Sequence, residues 1–220
     1  MARKWLLVPA LLLMLLPAVA LAQDYKVEAF EGAPPDGLAP EIAEKISASG
    51  LRVSDGDRVV CEIWPAKELQ VNADFTPSAT VLYPLKSGSL VGALRFPRKG
   101  ADFRGQDIKR GLYTLRYANQ PVDGNHVGTF DTRDFLVMVP AAVDKAPDAT
   151  GDTELFPESA ESAGSTHPAI MPLVKPDSGG ELPALRHLEE QEWYTLRFGG
   201  KDSSGKQQVL EVVVVGKAAE

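Results

Sequence analysis

The side chains best suited to chemistry lie in one polar segment, residues 119–132, and just beyond its end. They combine carboxylates, an amide and an imidazole: Asp123, Asn125, His126, Asp131 and Asp134. Carboxylate and amide oxygens suit Ca²⁺ or Mg²⁺, whereas an imidazole favours Zn²⁺ or another transition metal. The set could therefore bind a metal ion, or it could place His126 beside a carboxylate for acid–base catalysis.

A structural role fits the same segment. Asp123 precedes a glycine and Asn125, which is typical of a tight turn, and Asp and Asn side chains satisfy backbone donors in long loops. The spacing matches no EF-hand, and the chain contains no CxxC, HExxH, GxSxG or P-loop motif. We therefore expect an ordered loop held by its own polar side chains, with His126 and Asp134 supporting the architecture.

The strand before this loop has two different faces. Residues 112–118 alternate with a period of two, which predicts a half-buried strand whose aromatic face points inward. The same Tyr-Thr-Leu-Arg-aromatic pattern recurs at 194–198 and predicts a second, equivalent strand. The outward faces of the two strands would then offer polar and aromatic groups to a ligand: Thr114, Arg116, Trp193, Thr195 and Arg197.

The remaining patterns indicate the fold class. Residues 133–139 are nearly continuous in apolar side chains, which predicts a central strand covered on both faces. Further strands are predicted at 24–30, 51–53, 58–64, 80–83, 90–96, 193–198 and 207–215. Pro40 and Gly50 bracket one short helix. The chain is therefore predicted to be all-β and mainly antiparallel, a β-sandwich with one short helix near the N-terminus, and an open β-barrel is the alternative.

Residues 141–183 differ from the rest of the chain in composition. They are rich in Ala, Pro, Ser, Gly and acidic residues and have no regular apolar period. We expect them to form an extended surface connection without a core element.

The N-terminus has the pattern of a secretory signal peptide. Arg3 and Lys4 precede an apolar run that ends in Ala20-Leu21-Ala22, which predicts cleavage after Ala22. The mature chain, residues 23–220, is expected to form a single domain that is periplasmic or secreted. We expect no membrane insertion after signal cleavage, because no later apolar run approaches the length of a membrane span.

Charge and cysteine content narrow the possible partners and the source of stability. Loss of Arg3 and Lys4 with the signal peptide changes the formal net charge from −7 to −9, which disfavours nucleic acid as a partner. Cys61 is the only cysteine, so the domain cannot close an internal disulfide. Its alternation with Val59 and Ile63 predicts a buried thiol.

Residues 102–135 resemble a group of uncharacterised exported bacterial proteins. The shared signature is G-x-YTLRY-x-x-QPVDGNH-x-G-T-x-x-x-RDF, which this chain has at 111–135. The resemblance implies membership of an export family and carries no established activity.

These observations favour an exported, non-catalytic binding or structural module with an unknown protein or glycan ligand and no cofactor. The alternative is a metal-binding protein or metal-dependent hydrolase that uses the Asp123-His126-Asp134 loop. No catalytic residue is assigned. The candidate ligand-binding residues are Arg116, Asp123, Asn125, His126, Arg133 and Asp134.

We predict that the exported protein begins at Gln23, because the A-x-A pattern ends at Ala22. N-terminal sequencing of the protein recovered outside the cytoplasm measures this directly. An intact Met1 on protein recovered from the membrane fraction would contradict the prediction.

Overall fold

The computed structural model describes residues 24–123 and 130–218. The predicted signal peptide, residues 1–22, lies outside the described residues, as do Asn125 and His126 of the polar loop. Within the described part of the chain, neither helix has the length and apolarity needed to cross a membrane.

The described residues form twelve strands and two helices, in an all-β and mainly antiparallel arrangement that confirms the predicted fold class. In chain order they are β1 (Tyr25–Glu31), α1 (Pro40–Ala43), β2 (Ser49–Asp55), β3 (Arg58–Pro65), β4 (Leu90–Phe96), β5 (Gly100–Ala101), β6 (Asp107–Ile108), β7 (Gly111–Asn119), β8 (Asp134–Pro140), α2 (Asp152–Ala163), β9 (Ile170–Pro172), β10 (Ala184–Leu188), β11 (Trp193–Lys201) and β12 (Gln207–Val215). Seven strands form a sheet in the order β1-β2-β3-β4-β7-β8-β9, three form a sheet in the order β10-β11-β12, and β5 pairs with β6.

The two larger sheets enclose one hydrophobic core. At one edge β9 continues into Leu173, which forms an antiparallel bridge with Val212 of β12. At the other edge β1 lies beside β10, and the rings of Tyr25 and Tyr194 are 4.3 Å apart. The core cluster draws buried side chains from both sheets, including Leu115, Met138, Leu196 and Val212. The curled seven-stranded sheet is thus closed over by the three-stranded sheet.

Strand β8 occupies the central, doubly covered position that its apolar sequence predicts. It pairs with β7 on one side and β9 on the other. Leu136 and Met138 belong to the enclosed core, whereas Val137 and Val139 pack on the opposite face with Leu155 of α2. A strand with both faces buried needs a continuous apolar run, and this is what the sequence supplies.

The expectation that residues 141–183 form a surface connection without a core element is wrong. They contain α2, whose Leu155 is fully buried, and β9, which ends next to the fully buried Leu173. Acidic residues in the first turn and Gly164 in a left-handed conformation after the last turn suit the two ends of α2. Small side chains let the helix approach the sheet closely, and the Ser162 hydroxyl donates to the Met138 carbonyl at 2.8 Å.

Other expectations divide between confirmation and correction. Cys61 is fully buried, as predicted, and burial raises the pKa of its thiol to about 12. The short helix predicted near the N-terminus is confirmed as α1, although it spans only Pro40–Ala43, and α2 is a second helix that the sequence patterns do not predict. The predicted strand at 80–83 is absent from the described fold, and this segment is irregular. The Leu82 N–H donates a hydrogen bond to the Asp134 carboxylate, and the Thr80 carbonyl accepts one from the Arg133 N–H.

We predict that Leu155→Ala lowers the free energy of unfolding by about 2–5 kcal/mol, because it leaves a cavity beneath α2. Urea denaturation followed by circular dichroism measures the change. The exposed Glu161→Ala on the same helix is the control and should change stability by less than about 0.5 kcal/mol. Equal small effects of both variants would show that α2 contributes little to the core.

Candidate functional site

Asp134 lies at the start of β8 and is fully buried. Its Oδ1 accepts a hydrogen bond from the Tyr117 hydroxyl at 2.5 Å, and its Oδ2 accepts one from the Leu82 backbone N–H at 2.7 Å. Asn119 in turn donates to the Tyr117 oxygen at 2.9 Å. Both carboxylate oxygens are therefore used to hold the irregular segment around Leu82 against β7 and β8.

Burial raises the pKa of Asp134 above its ordinary value. The hydrogen bonds from Tyr117 and Leu82 favour the ionised carboxylate and lower the pKa, but they offset only part of this effect. The same burial, together with the hydrogen bond to Asp134, raises the pKa of the Tyr117 hydroxyl. Asp134 and Tyr117 therefore each keep their own proton to a higher pH than they would in water.

Arg116 lies on the other face of β7, and the expectation that it is exposed is wrong: its exposed fraction is 1%. Its Nε and Nη2 donate to the two oxygens of Asp144 at 2.7 and 2.9 Å, in a bidentate pair. The Thr114 hydroxyl also donates to Asp144. The remaining guanidinium hydrogens are donated to three backbone carbonyls, those of Gly88, Ala146 and Asp148. The chain after β8 covers this face and supplies most of these acceptors.

The second copy of the pattern, in β11, is also buried. Thr195 is fully buried, and its hydroxyl donates at 2.6 Å to Glu211 on β12. Arg186 of β10 donates to the same carboxylate at 2.7 Å. Arg197 is 7% exposed and donates to the Asp177 carbonyl at 3.3 Å. Apart from Trp193, the predicted polar strand surface for a ligand is thus a set of internal hydrogen bonds.

The two ends of the polar loop are tied together at their base. Gln120 N–H donates to the Arg133 carbonyl at 2.8 Å, and Arg133 Nε donates back to the Gln120 carbonyl at 2.7 Å. Asp123 and Asp131 are exposed beyond this base. Arg133 is half-buried, and its side chain holds the backbone at the two ends of the loop together.

The predicted site residues do not meet in one cavity. Asp134 faces the enclosed core, whereas Arg116 lies on the opposite face of the sheet. Among residues 24–123 and 130–218, no group of three His, Cys, Asp or Glu side chains is arranged to hold a metal ion. Asn125 and His126 fall outside the described residues, and their role in a ligand site stays a prediction.

An aromatic cluster adjoins the loop instead. Phe130, the first described residue of the second half of the loop, stacks on Trp193 with ring centres 5.5 Å apart and an interplanar angle of 24°. Phe103 meets both rings edge-on, at 5.4 and 5.0 Å. Phe135 of β8 lies 5.7 Å from Phe130. Phe130 and Trp193 remain partly exposed, whereas Phe103 and Phe135 are buried beneath them.

The partly exposed rings border an open cavity of about 580 Å³, which we call the aromatic cleft. Its lining combines Phe130 and Trp193 with two acidic side chains, Asp131 and Asp177, and two basic ones, Lys175 and Arg186. Gln191 adds an exposed amide. The cleft therefore offers aromatic surface and hydrogen-bonding groups of balanced formal charge.

Sequence reasoning finds only part of this cleft. It marks Trp193 and Asp131, but it passes over Phe130 because the chemistry of the loop is sought in its polar side chains. An aromatic residue within a polar loop is a usable signal, since aromatic side chains on loops often form binding surfaces. Lys175 and Asp177 lie in the segment expected to be a simple connection, and no pattern in the sequence marks them.

Comparison with known proteins adds no relative: no family model, no curated protein and no solved structure matches the chain.

We predict that lowering the pH raises the free energy of unfolding through protonation of Asp134. Because its pKa is raised in the folded state, this residue contributes stability that is complete below the unfolded pKa of about 3.9 and is lost as pH rises through the folded pKa. Asp134→Asn removes the titrating group. The stability of the wild type relative to this variant should therefore rise as pH falls from about 7 towards 4.5.

Urea denaturation of both proteins across this pH range measures the difference. The exposed Asp131→Asn variant is the control and should follow the wild type. A difference in stability between the wild type and Asp134→Asn that does not change with pH would contradict the prediction.

Proposed function

We propose that this protein is an exported, non-catalytic binding module of the cell envelope or extracellular space, and that it binds a neutral saccharide in the aromatic cleft. The observation that carries the proposal is the stacked, partly exposed pair of Phe130 and Trp193 at the wall of a cavity of about 580 Å³. Export is inferred from the signal-peptide pattern at residues 1–22.

The chemistry of the aromatic pair supports a saccharide. Sugar rings have apolar C–H faces that pack on aromatic rings, and their hydroxyl groups pair with polar side chains at the rim of such sites. The indole N–H of Trp193 already donates to the Lys217 carbonyl at 3.0 Å. Trp193 therefore offers a ligand its ring surface.

The charges around the cleft support a neutral ligand. Asp131 and Asp177 balance Lys175 and Arg186 in formal charge. Arg186 is also committed to Glu211 at 2.7 Å, and Arg197 lies 3.7 Å from the Asp177 carboxylate. An anionic or cationic ligand would meet a like charge as readily as an opposite one, whereas hydroxyl groups can use both the donors and the acceptors.

We predict that the mature protein retains one or more neutral oligosaccharides on a glycan array, and that Trp193→Ala weakens this binding at least about tenfold. Titration calorimetry with the best array ligand measures the affinity. Tyr194→Ala is the matched control, because it removes a partly buried ring from the adjacent position of β11 that does not line the cleft. That variant should bind as the wild type does.

A second variant keeps the test decisive if Trp193→Ala fails to fold. Gln191→Ala removes only an exposed amide of the cleft and should weaken binding without changing the melting temperature. Retention of no neutral saccharide by the wild type would overturn the proposal. Equal losses in the Trp193 and Tyr194 variants would place the ligand elsewhere.

A further inference from the structure

A second cavity, which we call the apolar groove, lies on the other side of the aromatic cluster. It has a volume of about 280 Å³ and shares no described lining residue with the aromatic cleft. Its wall is formed by Phe135 and Val137 of β8, Ile170 of β9 and Phe156 of α2. These side chains come from three elements that pack on one another, so the groove is formed by the fold itself.

Arg104 is the only residue with a formal charge in the described lining of the groove. Its described lining includes Arg104 and His167 but no aspartate or glutamate, in a mature chain whose formal net charge is −9. The Arg104 side chain is exposed, and its guanidinium has no hydrogen-bond or ion-pair partner within the described part of the chain. The buried Arg116, by contrast, uses all of its N–H groups. Arg104 is therefore free to meet an anion at the groove.

We propose that the apolar groove is a second binding site, and that it takes a small amphipathic carboxylate with a short alkyl chain. The volume holds roughly nine groups of water or methylene size, at ~30 Å³ each, which is enough for the eight carbons of such an acid with its carboxylate oxygens at the rim beside Arg104. The alkyl chain lies against Phe135, Val137 and Ile170, and the carboxylate pairs with the Arg104 guanidinium, which matches its two oxygens. The His167 imidazole is a further polar group in the lining of the groove.

Octanoate and 1-octanol are the matched probes, because they share the alkyl chain and differ in the charged head. Titration calorimetry at pH 7 should give a dissociation constant of about 1 mM or below for octanoate, and octanol should bind at least about tenfold more weakly. Arg104→Gln should weaken octanoate binding at least about tenfold and leave octanol binding unchanged. Arg110→Gln changes an exposed arginine outside the groove and should have no effect.

Methyl NMR spectra of the wild type locate the ligand. Addition of octanoate should shift the signals of Val137 and Ile170 and leave those of residues in the opposite sheet, such as Val213, in place. Three results would each overturn the proposal: no saturable octanoate binding, equal affinity for octanol, or equal effects of the Arg104 and Arg110 variants. Binding of an oligosaccharide in the aromatic cleft is a separate measurement, so either proposal can fail alone.

Discussion

The requirement to satisfy Arg116 determines how the outer face of the main sheet is covered. At 1% exposure the guanidinium must be both neutralised and fully hydrogen-bonded, and Asp144 with the carbonyls of Gly88, Ala146 and Asp148 does this. Removing one partner of such a buried pair costs about 3–5 kcal/mol, because the other charge is left uncompensated. The chain after β8 is therefore held on the sheet at this point, and α2 begins only a few residues later. The anchor thus lies just before α2, which contributes Phe156 to the wall of the apolar groove.

Other buried carboxylates in the sheets are neutralised by arginine in the same way, each with different partners. Glu62 on β3 is 1% exposed and lies between Arg52 on β2 and Arg95 on β4, whose Nε atoms donate to it at 2.9 and 2.6 Å. Glu211 on β12 is fully buried and is bonded by Arg186 and by the Thr195 hydroxyl. In each case an acid is neutralised by arginine from another strand or segment, so the pairing favours one alignment of the neighbouring elements. This pairing explains how a fold without a disulfide can bury charged side chains.

The sequence predicts the long strands well and the covering segments poorly, for a physical reason. Alternation is a local property, so β4 and β12 coincide with their predicted ranges and β8 is central as expected. The exposure of Arg116 is not local, because its acid lies 28 residues away in a segment with no apolar period. The short strands β9 and β10 and the helix α2 likewise depend on what they pack against, and small residues such as Ser162 carry little periodic signal. Part of the aromatic cleft could not be predicted from the sequence for the same reason, because Phe130 and Lys175 line one cavity only in the tertiary fold.

The aromatic rings between the two cavities are held in place before any ligand arrives. Phe103 is fixed through its backbone, whose N–H donates to the Ile170 carbonyl at 3.0 Å and whose carbonyl accepts from Ala218 at 2.8 Å. Trp193 is fixed through its indole N–H. Thr132, two residues after Phe130, donates through its hydroxyl to the Leu173 carbonyl at 2.9 Å. Rings already ordered in this way lose little side-chain entropy when a ligand packs on them, so more of the contact energy is available for binding. The hydrogen bonds around the cluster therefore serve both cavities: they order Phe130 and Trp193 beside the aromatic cleft, and they tie Phe103 to Ile170, which lines the apolar groove.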